Sequence, residues 1–140
     1  RQISVFLENK SGRLAEVTQV LGENGVNVRA LCIADTSDFG ILRLIVHDPA
    51  LAYKALKDAG FTVSENPVLA VEISDRPGGL AEALKVFQDC DVNIEYMYAF
   101  VGHCSGNAVV VFKVEDIDWA ADTLSKHGVK LLSDKEVYTL

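Results

Sequence analysis

Two stretches of this chain carry nearly the same message. Asn9-Lys-Ser-Gly-Arg-Leu-Ala-Glu recurs as Asp75-Arg-Pro-Gly-Gly-Leu-Ala-Glu, and each is followed by a helix-like run and then by Val-Asn-Val or Val-Asn-Ile. A duplication at this spacing restricts the chain to a fold that one half can adopt and the other can repeat. The offset between matched residues is 66 at Asn9 and Asp75 and 68 at Gly60 and Gly128, so the second half gains length in between, in the expected turn around Gly102 to Gly106. Each unit of roughly 70 residues buries a modest core, which favours at least one sizeable interface.

The first unit reads as β-α-β-β-α-β. Ile3, Val5 and Leu7 alternate with Gln2, Ser4 and Glu8, broken only by Phe6, as in a strand with one face on a core. The polar Asn9 to Gly12 turn ends it, and Leu14, Val17 and Leu21 then define one helical face, stopped by Gly25. Strands are predicted over Val26 to Ala34 and Ile41 to Val46, followed by a helix capped by Asp48 with Pro49 in its first turn. Leu51, Ala55 and Leu56 are expected to be its buried residues, before Gly60 and a fourth strand from Phe61.

The second unit repeats this order. It has strands near Leu69 to Ile73, Val92 to Val101 and Ala108 to Val114, and a first helix from Leu80 to Cys90. Asp116 caps a helix with Trp119, Thr123 and Leu124 on one face, Gly128 ends it, and a closing strand is expected within Val129 to Val137. Asn66-Pro67 is the natural boundary, giving domains at 1–67 and 68–140. The fold class expected is α+β: two tandem ferredoxin-like units, each a four-stranded antiparallel sheet with two helices on one face.

Charge narrows the partners. With 13 Lys and Arg against 20 Asp and Glu, the net charge is −7 and no basic run appears, which argues against nucleic acid and against an anionic membrane surface. There is no apolar run of membrane-spanning length and no signal-peptide pattern, so the expected location is cytoplasmic. Cys32, Cys90 and Cys104 are an odd number with no Cys-x-x-Cys spacing, as expected of reduced thiols. The chain opens on Arg1 rather than Met, and a short preceding segment is expected.

The repeated loop has a direct chemical use. Gly12 and Gly78 allow a tight turn and close approach by a ligand, and the helix start at Arg13 or Gly79 offers unpaired N–H groups at a positive dipole end, which suits a carboxylate. The side chain of Asn9 or Asp75 at the mouth of the loop can accept hydrogen bonds from an ammonium group. An α-amino acid carries both groups a few atoms apart.

With these residues in view, both halves resemble the ACT domain family: an Asn/Asp-x-x-Gly loop, a Leu two positions on, and a Val-Asn-Val/Ile strand start, over almost the whole chain. The resemblance implies amino-acid binding between two ACT domains, as in regulated enzymes such as phosphoglycerate dehydrogenase and aspartokinase. Carried over by position, it implicates Asn9, Ser11, Gly12, Leu14 and Asn27 in the first unit, and Asp75, Pro77, Gly78, Leu80 and Asn93 in the second. Serine-binding members carry a His two positions before the loop Asn, where this chain has Leu7 and Ile73, so recognition of serine in that manner is not expected. Ser11 replaces the usual loop Pro, and Asn9 lacks the charge of Asp75, so the two loops are unequal.

Each feature has a plainer alternative. An Asx-x-x-Gly turn is often a helix cap, Asn27 and Asn93 can satisfy backbone groups in a turn, and Glu16 and Glu82 suit solvated first-turn positions. His103 next to Cys104 is not a metal or nucleophile motif by itself, and His47 and His127 have no evident link to Cys104. Tyr96, Tyr98 and Phe100 share a strand face, read as core or interface aromatics. The sequence thus describes an amino-acid sensor without a catalytic centre, cofactor or metal, expected as a homodimer acting on a regulated enzyme. The alternatives are a small acylphosphatase-like hydrolase, for which the loops supply only Lys10 with Arg13 or Arg76 alone, and a ligand-free assembly module.

Overall fold

A computed structural model describes residues 1–8, 12–35, 39–100 and 107–138. The chain forms two compact units, Arg1–Asn66 and Pro67–Leu140. The first contains β1 (Gln2–Glu8), α1 (Arg13–Glu23), β2 (Val28–Asp35), β3 (Phe39–Val46), α2 (Pro49–Asp58) and β4 (Thr62–Asn66). The second contains β5 (Leu69–Ser74), α3 (Gly79–Asp89), β6 (Ile94–Ala99), β7 (Asn107–Val114), α4 (Ile117–Lys126), β8 (Lys130–Leu131) and α5 (Asp134–Tyr138). The turn around Gly102 to Gly106, with His103 and Cys104, lies outside the described residues.

Both sheets are antiparallel and share one order, β2-β3-β1-β4 and β6-β7-β5-β8. The period-two pattern of β1 puts Ile3, Val5 and Leu7 in the core with Leu42 and Leu44 of β3 and with Val17, Leu21, Ala52 and Leu56 of the helices. In the second unit Leu69, Val71, Val110 and Phe112 meet Phe87, Ala120 and Leu124. Phe87 and Phe112 pack with ring centroids 4.5 Å apart where the first unit has Leu21 and Leu44. Register puts Tyr96 and Tyr98 opposite in sense to Met97, on the face of the second sheet turned away from its helices.

The caps behave as their chemistry dictates. Asp48 accepts the Leu51 N–H at 3.2 Å with Pro49 beginning α2, and Asp116 accepts the Trp119 N–H at 3.4 Å.

Several expected core positions are corrected. Leu51 and Trp119 are 37% and 47% exposed, because α2 and α4 bury the i, i+4 pairs Ala52–Leu56 and Ala120–Leu124 instead. Five residues separate Leu51 from Leu56 and Trp119 from Leu124, which at 3.6 residues per turn puts them well off the buried stripe. Leu14 is on the correct side of α1 but in its first turn, and its side chain leans toward the helix start and remains 41% exposed. The expected closing strand is only Lys130–Leu131, and the chain then turns into α5. Ser133 and Glu136 form a reciprocal cap there: the Ser133 N–H donates to Glu136 Oε1 at 3.0 Å and the Glu136 N–H donates to Ser133 Oγ at 3.2 Å. The hydrogen bond from the Ser133 backbone, then that with its side chain, holds the Glu136 carboxyl below the ordinary glutamate range.

Candidate functional site

The second unit's loop is closed by its own backbone. The Arg76 N–H donates to Ser74 O at 3.0 Å, the Gly79 N–H to Arg76 O at 2.9 Å, and the first helical bond runs from the Glu82 N–H to Gly78 O at 3.0 Å. Gly78 is the N-cap at φ 84, left-handed backbone that suits glycine, and no side chain caps α3. Gly79 is buried, and a Cβ there would collide with the Ser74 carbonyl oxygen. The helix start is thereby pressed against the end of β5, with the N–H groups of Leu80 and Ala81 unpartnered among the described residues. Asp75 and Pro77 are exposed on the same turn, and the Asp75 carboxylate makes no hydrogen bond among the described residues.

The first unit repeats this design with one exchange. Gly12 caps α1 at φ 87, again without a side-chain cap, and the Glu16 N–H donates to Gly12 O at 2.9 Å. Asn9 and Ser11 lie outside the described residues. Where α3 has Gly79, α1 has Arg13, whose guanidinium lies 3.1 Å from Glu16 and 3.9 Å from Glu8. In the second unit the guanidinium comes from the loop, with Arg76 Nη2 at 2.7 and 2.8 Å from the two carboxylate oxygens of Glu82. Glu16 and Glu82 are therefore ion-paired, not simply solvated. The exchange also shapes the clefts beside the two helix starts. The one lined by Arg13, Glu8, Glu16 and Phe61 has a volume of about 140 Å³, and its counterpart beside Gly79, lined by Ser74, Glu82, His127 and Lys130, about 240 Å³. Leu14 and Leu80 stand exposed at matched places, 41% and 39%.

Asn27 and Asn93 precede β2 and β6, and both are exposed. Neither side chain makes a hydrogen bond among the described residues, so neither is consumed in satisfying a turn. A further cleft of about 420 Å³ lies beside Asn93, lined by Leu84, Phe87, Gln88, Asp91 and Val92.

The structure brings Asp75, Pro77, Gly78, Gly79 and Leu80 into one loop, and separates that loop from Asn93. Ser74 pairs with Asn107 at one end of the second sheet, whereas Ile94 pairs with Val114 at the other. The first unit is alike: Leu7 pairs with Gly40 at the loop end, and Val28 with Val46 at the end where Asn27 enters. The eleven residues of α1 or α3 span about 16 Å between them. One small ligand cannot touch the loop and the Asn of the same unit.

Spacing along the sequence does not point to His47, yet the β2–β3 register carries it beside Asn27. The Asn27 N–H donates to His47 Nδ1 at 3.1 Å, and the His47 N–H donates to Asn27 O at 3.3 Å. Among the described residues no cluster of three or more His, Cys, Asp and Glu side chains is placed to hold a metal ion, and Cys32 and Cys90 are free thiols. No helix among the described residues is long and apolar enough to cross a membrane.

The chain is thus a duplicated ferredoxin-like unit with a glycine-capped strand-to-helix loop in each copy. The family model of the ACT domain pair matches residues 1–140, and the chain belongs to that family. A crystal structure of a Bacteroides thetaiotaomicron protein is 46% identical, with a TM-score of 0.91 over 99% of this chain and 95% of that one. Two aspartate kinase regulatory subunits share the fold. The one from Thermus thermophilus, solved free of ligand, is 19% identical with a TM-score of 0.66, covering 89% of this chain and 87% of that one. The one from Thermus flavus is 21% identical with a TM-score of 0.61 and the same coverage, 89% and 87%. No curated protein matches the chain.

Proposed function

We propose that this ACT domain pair is a sensor for a free α-amino acid, and that it regulates a separate enzyme and performs no catalysis itself. In this reading the Asp75 loop is the principal binding element: the carboxylate of Asp75 receives the ligand ammonium, and the N–H groups at the start of α3 receive its carboxylate. Asn9, Ser11, Gly12, Arg13 and Leu14 form the weaker counterpart in the first unit, with Asn27 and Asn93 completing the sites. The carrying observation is that Asp75, Asn27 and Asn93 are exposed polar residues at repeat-matched positions whose side chains the described fold does not use. A residue kept for capping or turn formation would be hydrogen-bonded.

Because the loop and the Asn of one unit lie about 16 Å apart, a ligand touching both needs two ACT units, from one chain or from two. We accordingly infer a ligand held where ACT units meet, in a cytoplasmic homodimer. Leu31 and Ile33, 42% and 43% exposed on the edge strand β2, support self-association. The aspartate kinase regulatory subunits that share the fold support a role in controlling an enzyme. Ligand binding would regulate through its differential affinity for two arrangements of the units.

A thermal-melting screen against the common amino acids tests this. A cognate amino acid at a hundredfold excess over its Kd stabilises by about 2.7 kcal/mol, a rise of several degrees. The absence of any shift would remove the sensor reading, and turnover of an acyl phosphate would replace it with an enzymatic one.

A further inference from the structure

The reciprocal contact between Asn27 and His47 has a chemical consequence that its counterpart in the second unit lacks. The Asn27 N–H donates to His47 Nδ1 at 3.1 Å, so Nδ1 serves as the acceptor in this bond. The His47 N–H returns a bond to Asn27 O at 3.3 Å, extending the β2–β3 ladder one step beyond the Val28–Val46 pair. The ladder then breaks into a bulge between Val28 and Ala30, and the His47 ring contacts the backbone just before it. In the second unit Ile94 pairs with Val114 and the same bulge follows, but the residue after Val114 is Glu115. That position has no imidazole to change from acceptor to donor.

We propose that His47 is a positioning residue for Asn27, and that its protonation releases the strand entry and weakens ligand binding through the first unit's Asn27. A proton on Nδ1 turns the acceptor into a donor facing the Asn27 N–H, so the bond is lost and two hydrogens are brought together. Charged side chains close in sequence to His47 and Asn27 include Asp48, which caps α2 by accepting the Leu51 N–H at 3.2 Å, Arg43 in β3, Arg29 in the bulge of β2, and Glu23 in the last turn of α1. None is ion-paired with His47 among the described residues, so no carboxylate holds the imidazolium in place once it forms. The effect on affinity rests on the amino-acid reading above; the His47–Asn27 clasp does not.

Two measurements on the full chain keep these parts separate. In an NMR pH titration, the Asn27 amide shift is expected to follow the His47 imidazole with the same midpoint, while the Asn93 amide stays flat across that range. An Asn27 amide that ignores His47 titration would overturn the proposal. In calorimetry with the amino acid that gives the largest melting shift, wild type is expected to bind about 3- to 10-fold more weakly once His47 is protonated, the worth of one hydrogen bond. His47→Asn, which offers an amide oxygen near the place of Nδ1, should keep the high-pH affinity and lose the pH dependence, and His47→Ala should bind weakly at both. Equal pH dependence in all three proteins would overturn the positioning role. A coupled Asn27 amide with no binding of any amino acid at either pH would overturn the amino-acid reading and the affinity effect, and leave the clasp itself standing.

Discussion

Gly79 and Ser74 are in such close contact that the second unit's loop has no room for a side chain at Gly79, because a Cβ would run into the Ser74 carbonyl oxygen. The matching residue of the first unit is Arg13, which fills its cleft with a guanidinium held between Glu8 and Glu16. Gly79→Ala is therefore expected to destabilise the second unit by about 1–3 kcal/mol, since helix or strand must shift. Arg13→Ala should cost less than about 1 kcal/mol, because it removes only partly exposed ion pairs. Urea melts of both variants check this; equal costs at the two positions would contradict the contrast between the loops.

The cores of the two units differ most at Phe87, which is 1% exposed and packs on Phe112 where the first unit has Leu21 and Leu44. Phe87→Ala is expected to cost about 3–5 kcal/mol, with Phe87→Leu much milder because leucine already serves at the matched place. Hydrogen exchange should show the loss first in β5, β7 and α3. Uniform loss of protection over both units would contradict a separate second core.

Acid should loosen the C-terminal turn before the rest. The Ser133 N–H and hydroxyl hold the Glu136 carboxyl below its ordinary range. A carboxyl lowered in the folded state contributes stability above its unfolded pKa, and that contribution disappears as the pH falls through the folded value. Protection of the Glu136 and Val137 amides should therefore decline on acidification below the ordinary carboxylate range, and Glu136→Gln, which keeps an acceptor that does not titrate, should flatten the dependence. A wild-type profile as flat as that of the variant would contradict the cap.

Much of the fold was legible because it is written locally and twice. Asp48 and Asp116 precede helices and cap them, and Ile3, Val5 and Leu7 alternate into the core. Leu51 and Trp119 have the size of core residues yet stay exposed, because Ala52 and Ala120 face the sheet closely enough to be buried in their stead. The Ser133–Glu136 box was readable as Ser-x-x-Glu, but a run containing Val129, Leu131 and Val137 looked like a strand. The loop's composition points to a candidate site, yet the distance from Asp75 to Asn93 and the meeting of Asn27 with His47 depend on strand register, which no short motif encodes.

The most direct test of the sensor account is a calorimetric titration of the common amino acids into wild type and Asp75→Ala, with a melt of each protein alongside. The Asp75 carboxylate is exposed and caps nothing, so the substitution should leave the melting temperature within the equivalent of about 0.5 kcal/mol. The prediction is heat of binding for at least one amino acid in wild type and an affinity at least about tenfold weaker in Asp75→Ala, the scale of a charge-assisted hydrogen bond of 1.5–3 kcal/mol. No heat with any amino acid, or equal affinity in both proteins, would contradict it.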